Sequence, residues 1–170
     1  LNIKSNLQTK KESINSESYS YYIKAKYIFN QRKNNKDINI AKEMIHKALR
    51  LDKDFLLAHN YLGAIYEETG EIEKAKKIYS KNLNKALLDN IEDVIADSSE
   101  SLGRFYSIQG DYKKSLKYHF KSLQINEKNG NIKRTQISLK SIASIYYIKG
   151  NINDALKYCD KSIKTAKKIN

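Results

Sequence analysis

Three histidines, one cysteine and a run of glutamates are the residues with which this chain could do chemistry. His46, His59 and His119 lie far apart, and none forms an HExxH or His/Cys spacing that would seat a metal. Cys159 is the sole cysteine, so it cannot close an internal disulfide, and a reducing, cytoplasmic compartment is the default expectation. Glu67, Glu68, Glu71 and Glu73 invite a paired-acid reading. Near helix ends, beside Lys74 and Lys76, they read more simply as solvated charge. The glycines follow no nucleophile-elbow, Walker or dinucleotide pattern. The expectation is therefore a non-enzyme, with no catalytic residue, no metal and no cofactor.

The elements that position these residues follow from a repeat. Gly70, Gly110 and Gly150 recur at a step of 40, as do Tyr66, Tyr106 and Tyr146. Leu62, Leu102 and Ile142 keep the step, followed by Gly63, Gly103 and Ala143, then Ile65, Phe105 and Ile145. Ala75, Ser115 and Ala155 keep it too, and Leu83, Leu123 and Ile163 complete the set. Small Gly63 and Gly103 let two helices approach, and each tyrosine lies one turn further along the same face. Gly70, Gly110 and Gly150 suit the left-handed residue that ends a helix. Asp111 and Asn151 then suit the cap of the next one. Each unit reads as helix, tight turn, helix. Tyr79, His119 and Cys159 sit one turn beyond the small residue of the second helix, facing the first helix or the next repeat. There Cys159 reads as a small buried hydrophobe. His119 reads as a core residue, and His46 as facing solvent.

The chain has 170 residues, no proline, and a hydrophobic fraction of 40%. The missing proline favours uninterrupted helices. No stretch approaches the roughly 18 apolar residues of a membrane span, and no signal peptide opens the chain. Leu1 at the start, with Met44 the only methionine, leads us to expect a piece of a longer or processed protein. The formal net charge is +13. Lysines spread along the chain read first as solvated outer faces. They leave open an acidic partner, nucleic acid or an anionic membrane.

The repeated order resembles the tetratricopeptide repeat family, carried by His59, Leu62-Gly63, Tyr66, Gly70, Ala75 and Tyr79. It continues through Leu102-Gly103, Tyr106, Gly110, Ser115 and Leu123, then Ile142-Ala143, Tyr146, Gly150, Ala155 and Ile163. A degenerate first unit carries Tyr21, Ala25, Ile28, Ala41, Ile45 and Ala48-Leu49, with a long loop at Asn30–Asn39. The period exceeds the family's usual value of about 34, and resembles the subclass in signalling proteins such as nucleotide cyclases and histidine kinases.

The resemblance implies an all-α, right-handed superhelical solenoid of about four antiparallel helix-turn-helix repeats. Residues 1–15 are expected to be a polar linker or frayed helix start. Residues 16–170 form the repeat domain, with units at about 16–52, 54–89, 91–129 and 131–169. Helices are expected near 16–31, 37–51, 54–69, 71–88, 91–109, 111–128, 131–149 and 151–168.

Function in the family lives on the concave face, lined by the first helix of each unit. By register, its positions fall on Tyr19, Tyr22, Lys26 and Phe29, then on Leu57, Asn60, Ala64 and Glu67. They continue at Asp97, Glu100, Arg104 and Ser107, then Ile137, Lys140, Ser144 and Tyr147. This mixture suits a protein or peptide held by aromatic anchors and polar contacts. Lys26 and Asn60 match parts of the clamp that chaperone-binding relatives use for a carboxylate tail, but Asp97 and Glu100 oppose an anionic tail. The implied function is a non-catalytic scaffold, the regulatory or sensory part of a larger signalling protein. The alternative is a nucleic-acid- or membrane-associated regulator that uses the lysines of the outer helices. No polar capping helix follows Ile163 and Ile169, which raises the expectation of a homo-oligomer through the last helix.

Overall fold

The computed structural model describes residues 15–167. The expected linker at 1–15 and the Ile169 end lie almost wholly outside these residues. Within them the chain forms eight helices and no strand. They are α1 (Ser16–Asn30), α2 (Asn35–Leu51), α3 (Leu56–Glu68), α4 (Ile72–Leu88), α5 (Glu92–Ile108), α6 (Tyr112–Lys128), α7 (Ile132–Ile148) and α8 (Ile152–Ala166). Each boundary falls within two residues of the sequence expectation. Two helix starts, those of α2 and α3, depart by two residues, and the first is instructive. α2 begins at Asn35 because the Asn34 side chain accepts from the backbone N–H groups of Lys36 and Asp37. That cap shortens the long loop expected there.

The repeat glycines end the first helices as their type requires. Gly70, Gly110 and Gly150 have φ of +77°, +75° and +75°. The following N–H reaches back to the tyrosine carbonyl: Glu71 to Tyr66 (2.8 Å), Asp111 to Tyr106 (2.9 Å) and Asn151 to Tyr146 (2.9 Å). This is the six-to-one bond of a Schellman turn, and it satisfies a carbonyl that the helix end leaves open. Asp111, Asn131 and Asn151 then cap α6, α7 and α8 through backbone N–H groups three residues on. The turns before α5 and α7 use the same left-handed geometry at Asn90 (φ +53°) and Gly130 (φ +64°).

The chain divides into two compact units, one up to Ile78 and one from Tyr79. In the first, α1 packs on α2, and α3 joins them. Their core is Tyr22, Ala25, Phe29, Ile38, Ala41, Ile45, Ala48, Phe55, Ala58, Leu62 and Ile65. Fully burying each large side chain among them contributes about 1.5–3 kcal/mol. Ser18 is buried with its hydroxyl donating to the Ala48 carbonyl at 2.9 Å, which ties α1 to the end of α2. In the second unit, α5 pairs with α6, α7 with α8, and α7 packs on α6. Leu123, Leu139 and Ile142 centre the α6–α7 contact, with Leu116, Phe120, Tyr146 and Tyr158 packed around them.

Two expectations about single residues, Cys159 and His46, are corrected. Cys159 is exposed, not a small buried hydrophobe. Its counterparts Tyr79 and His119 are buried. No described helix lies over α8 in the way α7 lies over α6. His46 is half-buried and does not face open solvent. Burial, with Lys42 and Arg50 nearby, lowers its pKa. His59 is only half-buried and closes a loop: its Nε2–H donates to the Lys53 carbonyl at 2.9 Å.

Candidate functional site

In the first unit, the positions implied for the inner face divide into buried and open. Tyr22 and Phe29 are buried. The Tyr22 ring lies 5.2 Å from Phe55 and 5.8 Å from Tyr61, and Phe29 lies 5.6 Å from Tyr61. The Arg32 guanidinium stands 4.2 Å over Phe29. Edge-on aromatic contacts of this kind add about 0.5–1.5 kcal/mol each beyond burial. Tyr61 donates to Asn30 Oδ1 at 3.0 Å, and burial pushes its phenol up to about 12. Tyr19 and Lys26 stay exposed, beside Ile23 and Tyr27, while Asn60 and Glu67 are half-buried. Phe55 and Tyr61, which hold this aromatic cluster together, were not singled out from sequence. Phe55 lies outside any regular period, in the turn before α3.

In the second unit, α5 and α7 present their faces side by side, and the acids of α5 are engaged by neighbours. Asp97 receives both guanidinium nitrogens of Arg134, at 2.7 and 3.0 Å. Burial nevertheless pushes the Asp97 carboxyl up to about 6, and Arg134 offsets this only partly. Glu100 Oε2 accepts from the Ser138 hydroxyl at 2.9 Å, and Oε1 from Ser141 at 3.1 Å. His119 Nδ1 stands 3.2 Å from the same carboxylate. Burial pulls the Glu100 pKa up. His119, Ser138 and the Arg104 charge outweigh it, so the acid stays below its ordinary value. The network continues inward, where Ser138 Oγ lies 3.3 Å from Ser122 Oγ, which accepts from Asn126 at 3.1 Å. One carboxylate on α5 thus joins α6 to α7. Hydrogen bonds to a charged acceptor contribute about 1.5–3 kcal/mol each.

Both serine hydroxyls direct their hydrogens at Glu100, so His119 is not placed as their base. Arg104 donates to Ser101 at 3.3 Å. Along α7, Ile137, Lys140, Ser144 and Tyr147 form an exposed stripe, with Tyr147 at 68% exposure. Ser107 on α5 is half-buried. The structure therefore brings Asp97, Glu100 and Arg104 together with Arg134, Ser138 and Ser141, which sequence reasoning left out. Only their spacing at 37, 38 and 41 residues from the acids hinted at such contacts.

Among the described residues, no group of three His, Cys, Asp or Glu side chains is placed to hold a metal ion. None of the described helices is long and apolar enough to cross a membrane.

Comparison with known proteins gives the fold a family. The chain is similar over 98% of its length to the structure of MamA, at 24% identity, a TM-score of 0.64 and 87% coverage of that chain. It is similar over 90% of its length to BtubC (BKLC) from P. vanneervenii, at 17% identity and a TM-score of 0.74, spanning 64% of that chain. At these identities the likeness shows the fold alone, an all-α helical-repeat solenoid. No curated protein matches the chain. The model of the SusR N-terminal TPR domain matches residues 8–170. The chain belongs to the TPR_SusR family of tetratricopeptide repeat domains, a scaffold fold that binds proteins and peptides.

Proposed function

We propose that the chain is a non-catalytic module that holds a protein or peptide on the faces of its first helices. The observation that carries this is the α7 stripe. Ile137 and Tyr147 are exposed apolar side chains three turns apart, with Lys140 and Ser144 between them. Their helix buries its opposite side in Leu139, Ile142, Ala143 and Ile145. An aromatic anchor beside a cation and hydroxyls suits a peptide backbone and its side chains. In the first unit, Tyr19 and Lys26 are the exposed counterparts. Tyr22 and Phe55 contribute by fixing Tyr19, whose ring lies 6.0 Å from Tyr22 and 6.3 Å from Phe55.

The 40-residue step supports reading the module as the regulatory or sensory part of a larger signalling protein, as in the arrays it resembles. The lone Cys159 supports a reducing, cytoplasmic setting. Self-association through the last helix would use the exposed side of α8, whose lysine flanks oppose a like-charged copy.

The test is site-specific photo-crosslinking in cells. A photoreactive residue at Ser144 is expected to capture a discrete partner band that a residue at Lys117, on the outer side of α6, does not. Capture only from Lys117 would overturn the reading. It would favour the second one, a polyanion on the row Lys113, Lys117 and Lys121 of α6. Binding of that kind weakens steeply with salt.

A further inference from the structure

The outward sides of the second helices carry a charge that the inner faces leave unused. Lys77, Lys117 and Lys157 keep the step of 40, and so do Lys81, Lys121 and Lys161, one turn further along. The outward positions beside them change type. They are Glu73, Lys113 and Asn153 a turn earlier, then Asn84, Gln124 and Lys164 about a turn later. An overall excess of lysine explains many lysines, but not the same two positions in three units. The lysines with acid partners stand elsewhere: Lys74 on Glu71, Lys76 on Glu73, Lys114 on Asp111 and Lys128 on Glu92.

The row is longest on α6. Lys113, Lys117 and Lys121 lie four residues apart, so they rise in steps of about 6 Å along one side of the helix. They stand opposite the buried Ser115, His119 and Ser122. Lys113 and Lys117 are exposed and Lys121 is half-buried, with the following hairpin already packed on the other side of α6. Like charges one turn apart disfavour a helix. Glu127, the one acid of α6, lies six residues beyond Lys121 and does not relieve them. On α8, Lys157 and Lys161 repeat the pair, but Asp160 flanks them, and they stand 5.9 and 5.3 Å from the Tyr158 ring. The uncompensated charge is therefore greatest on α6.

Whatever covers such a row must supply negative charge at short, regular intervals. A nucleic-acid duplex does so, with one phosphate charge per roughly 1.7 Å of its axis. Among the described residues, none of the exposed large apolar side chains belongs to α6. The row thus has no exposed ring on which an unstacked base could lie, and no apolar edge to enter a lipid interface. Lysine meets a phosphate as a point charge, and such contacts carry no sequence information.

We propose that the outer side of α6 binds duplex nucleic acid through its phosphates, without sequence preference, with Lys113, Lys117 and Lys121 as the contacts. This surface is separate from the inner faces of α5 and α7, and its ligand is additional to the protein or peptide proposed for them.

The probe is a short fluorescent DNA duplex of mixed sequence, followed by anisotropy with the 170-residue protein. Saturable binding is expected at about 50 mM salt, weakening steeply by about 200 mM. Lys113→Gln/Lys117→Gln/Lys121→Gln is expected to lose at least tenfold in affinity. It should also lower the slope of log affinity against log salt by about 0.9 for each contact removed. Lys33→Gln/Lys36→Gln/Lys53→Gln takes the same charge from exposed positions of the first unit and should lose less than threefold. Glutamine has nearly the helix propensity of lysine, so circular dichroism should show the same helicity in both variants. Equal losses in the two variants would overturn the proposal, because net charge alone would then explain the binding. So would a lack of saturable binding at low salt, or a tenfold preference between two duplexes of unrelated sequence. Tighter binding to the single strand, or to vesicles containing phosphatidylserine, would overturn it in favour of those ligands. None of these outcomes bears on the crosslink at Ser144, so the inner-face reading is tested separately.

Discussion

The His119 imidazole lies across Gly103, so that a Cβ placed on Gly103 would stand 2.7 Å from His119 Cε1 and 2.8 Å from both ring nitrogens. The Ser115 hydroxyl donates to the Gly103 carbonyl at 2.7 Å, from the same helix as His119. The close approach of α5 and α6 at this glycine is therefore a contact of backbone with a ring, and the ring's Nδ1 lies 3.2 Å from the Glu100 carboxylate.

Gly103→Ala is expected to destabilise the protein. A methyl group there needs the ring to move, and at 1% exposure His119 has nowhere to go. Overpacking of this kind costs about 1–3 kcal/mol, and the better helix propensity of alanine returns about 1. Urea unfolding should show a net loss. The same substitution paired with His119→Ala should recover part of it, a coupling that a double-mutant cycle reads directly.

Asp97 sets a pH dependence whose sign can be worked out. Its folded pKa of about 6 lies above the ordinary 3.8. Its contribution to stability is therefore fully present below about pH 4 and is lost as pH rises through 6. Asparagine has no such charge to desolvate. Between pH 5 and 7.5, Asp97→Asn should gain on the wild type by about 1 kcal/mol, a figure reduced for the carboxyl's partial exposure. Unfolding midpoints at the two pH values check this, and parallel profiles would count against a desolvated carboxyl. Glu100 works the other way. Its lowered pKa gives stability above about 4.5 that disappears only on further acidification.

Phe55→Ala is expected to loosen the first unit ahead of the second. Phe55 is buried against Tyr19 and Tyr22, and removing such a ring costs about 3–5 kcal/mol. Hydrogen exchange should lose protection in α1, α2 and α3 while α6, α7 and α8 keep theirs. Uniform loss along the chain would mean that the two units unfold as one.

Cys159 should behave as a surface thiol. Its labelling by an aromatic disulfide reagent in the native protein is expected to run at nearly the rate measured in denaturant. Protection by tenfold or more in the isolated chain would contradict its exposure.

The sequence by itself determined the helices and their ends. The signals for these are local: a glycine that can turn left-handed, an asparagine or aspartate that caps, and a period that keeps leucine, small residue and tyrosine on one side. Those signals need no partner from elsewhere in the chain, so the spacing of 40 between Gly70, Gly110 and Gly150 was enough to read them. It also placed Ile137, Lys140, Ser144 and Tyr147 in one row, because that too is helix geometry. Which members of the candidate faces remain open was decided only by tertiary structure. Tyr22 and Phe29 share the register of Tyr19 and Lys26, yet Phe55 and Tyr61 arrive from the turn before α3 and from α3 itself to bury them. Glu100 looks like a surface acid until Ser138, Ser141 and His119 come from two other helices to enclose it. Cys159 occupies the position of a core residue, and burial there depends on a neighbouring helix that no residue of α8 can supply.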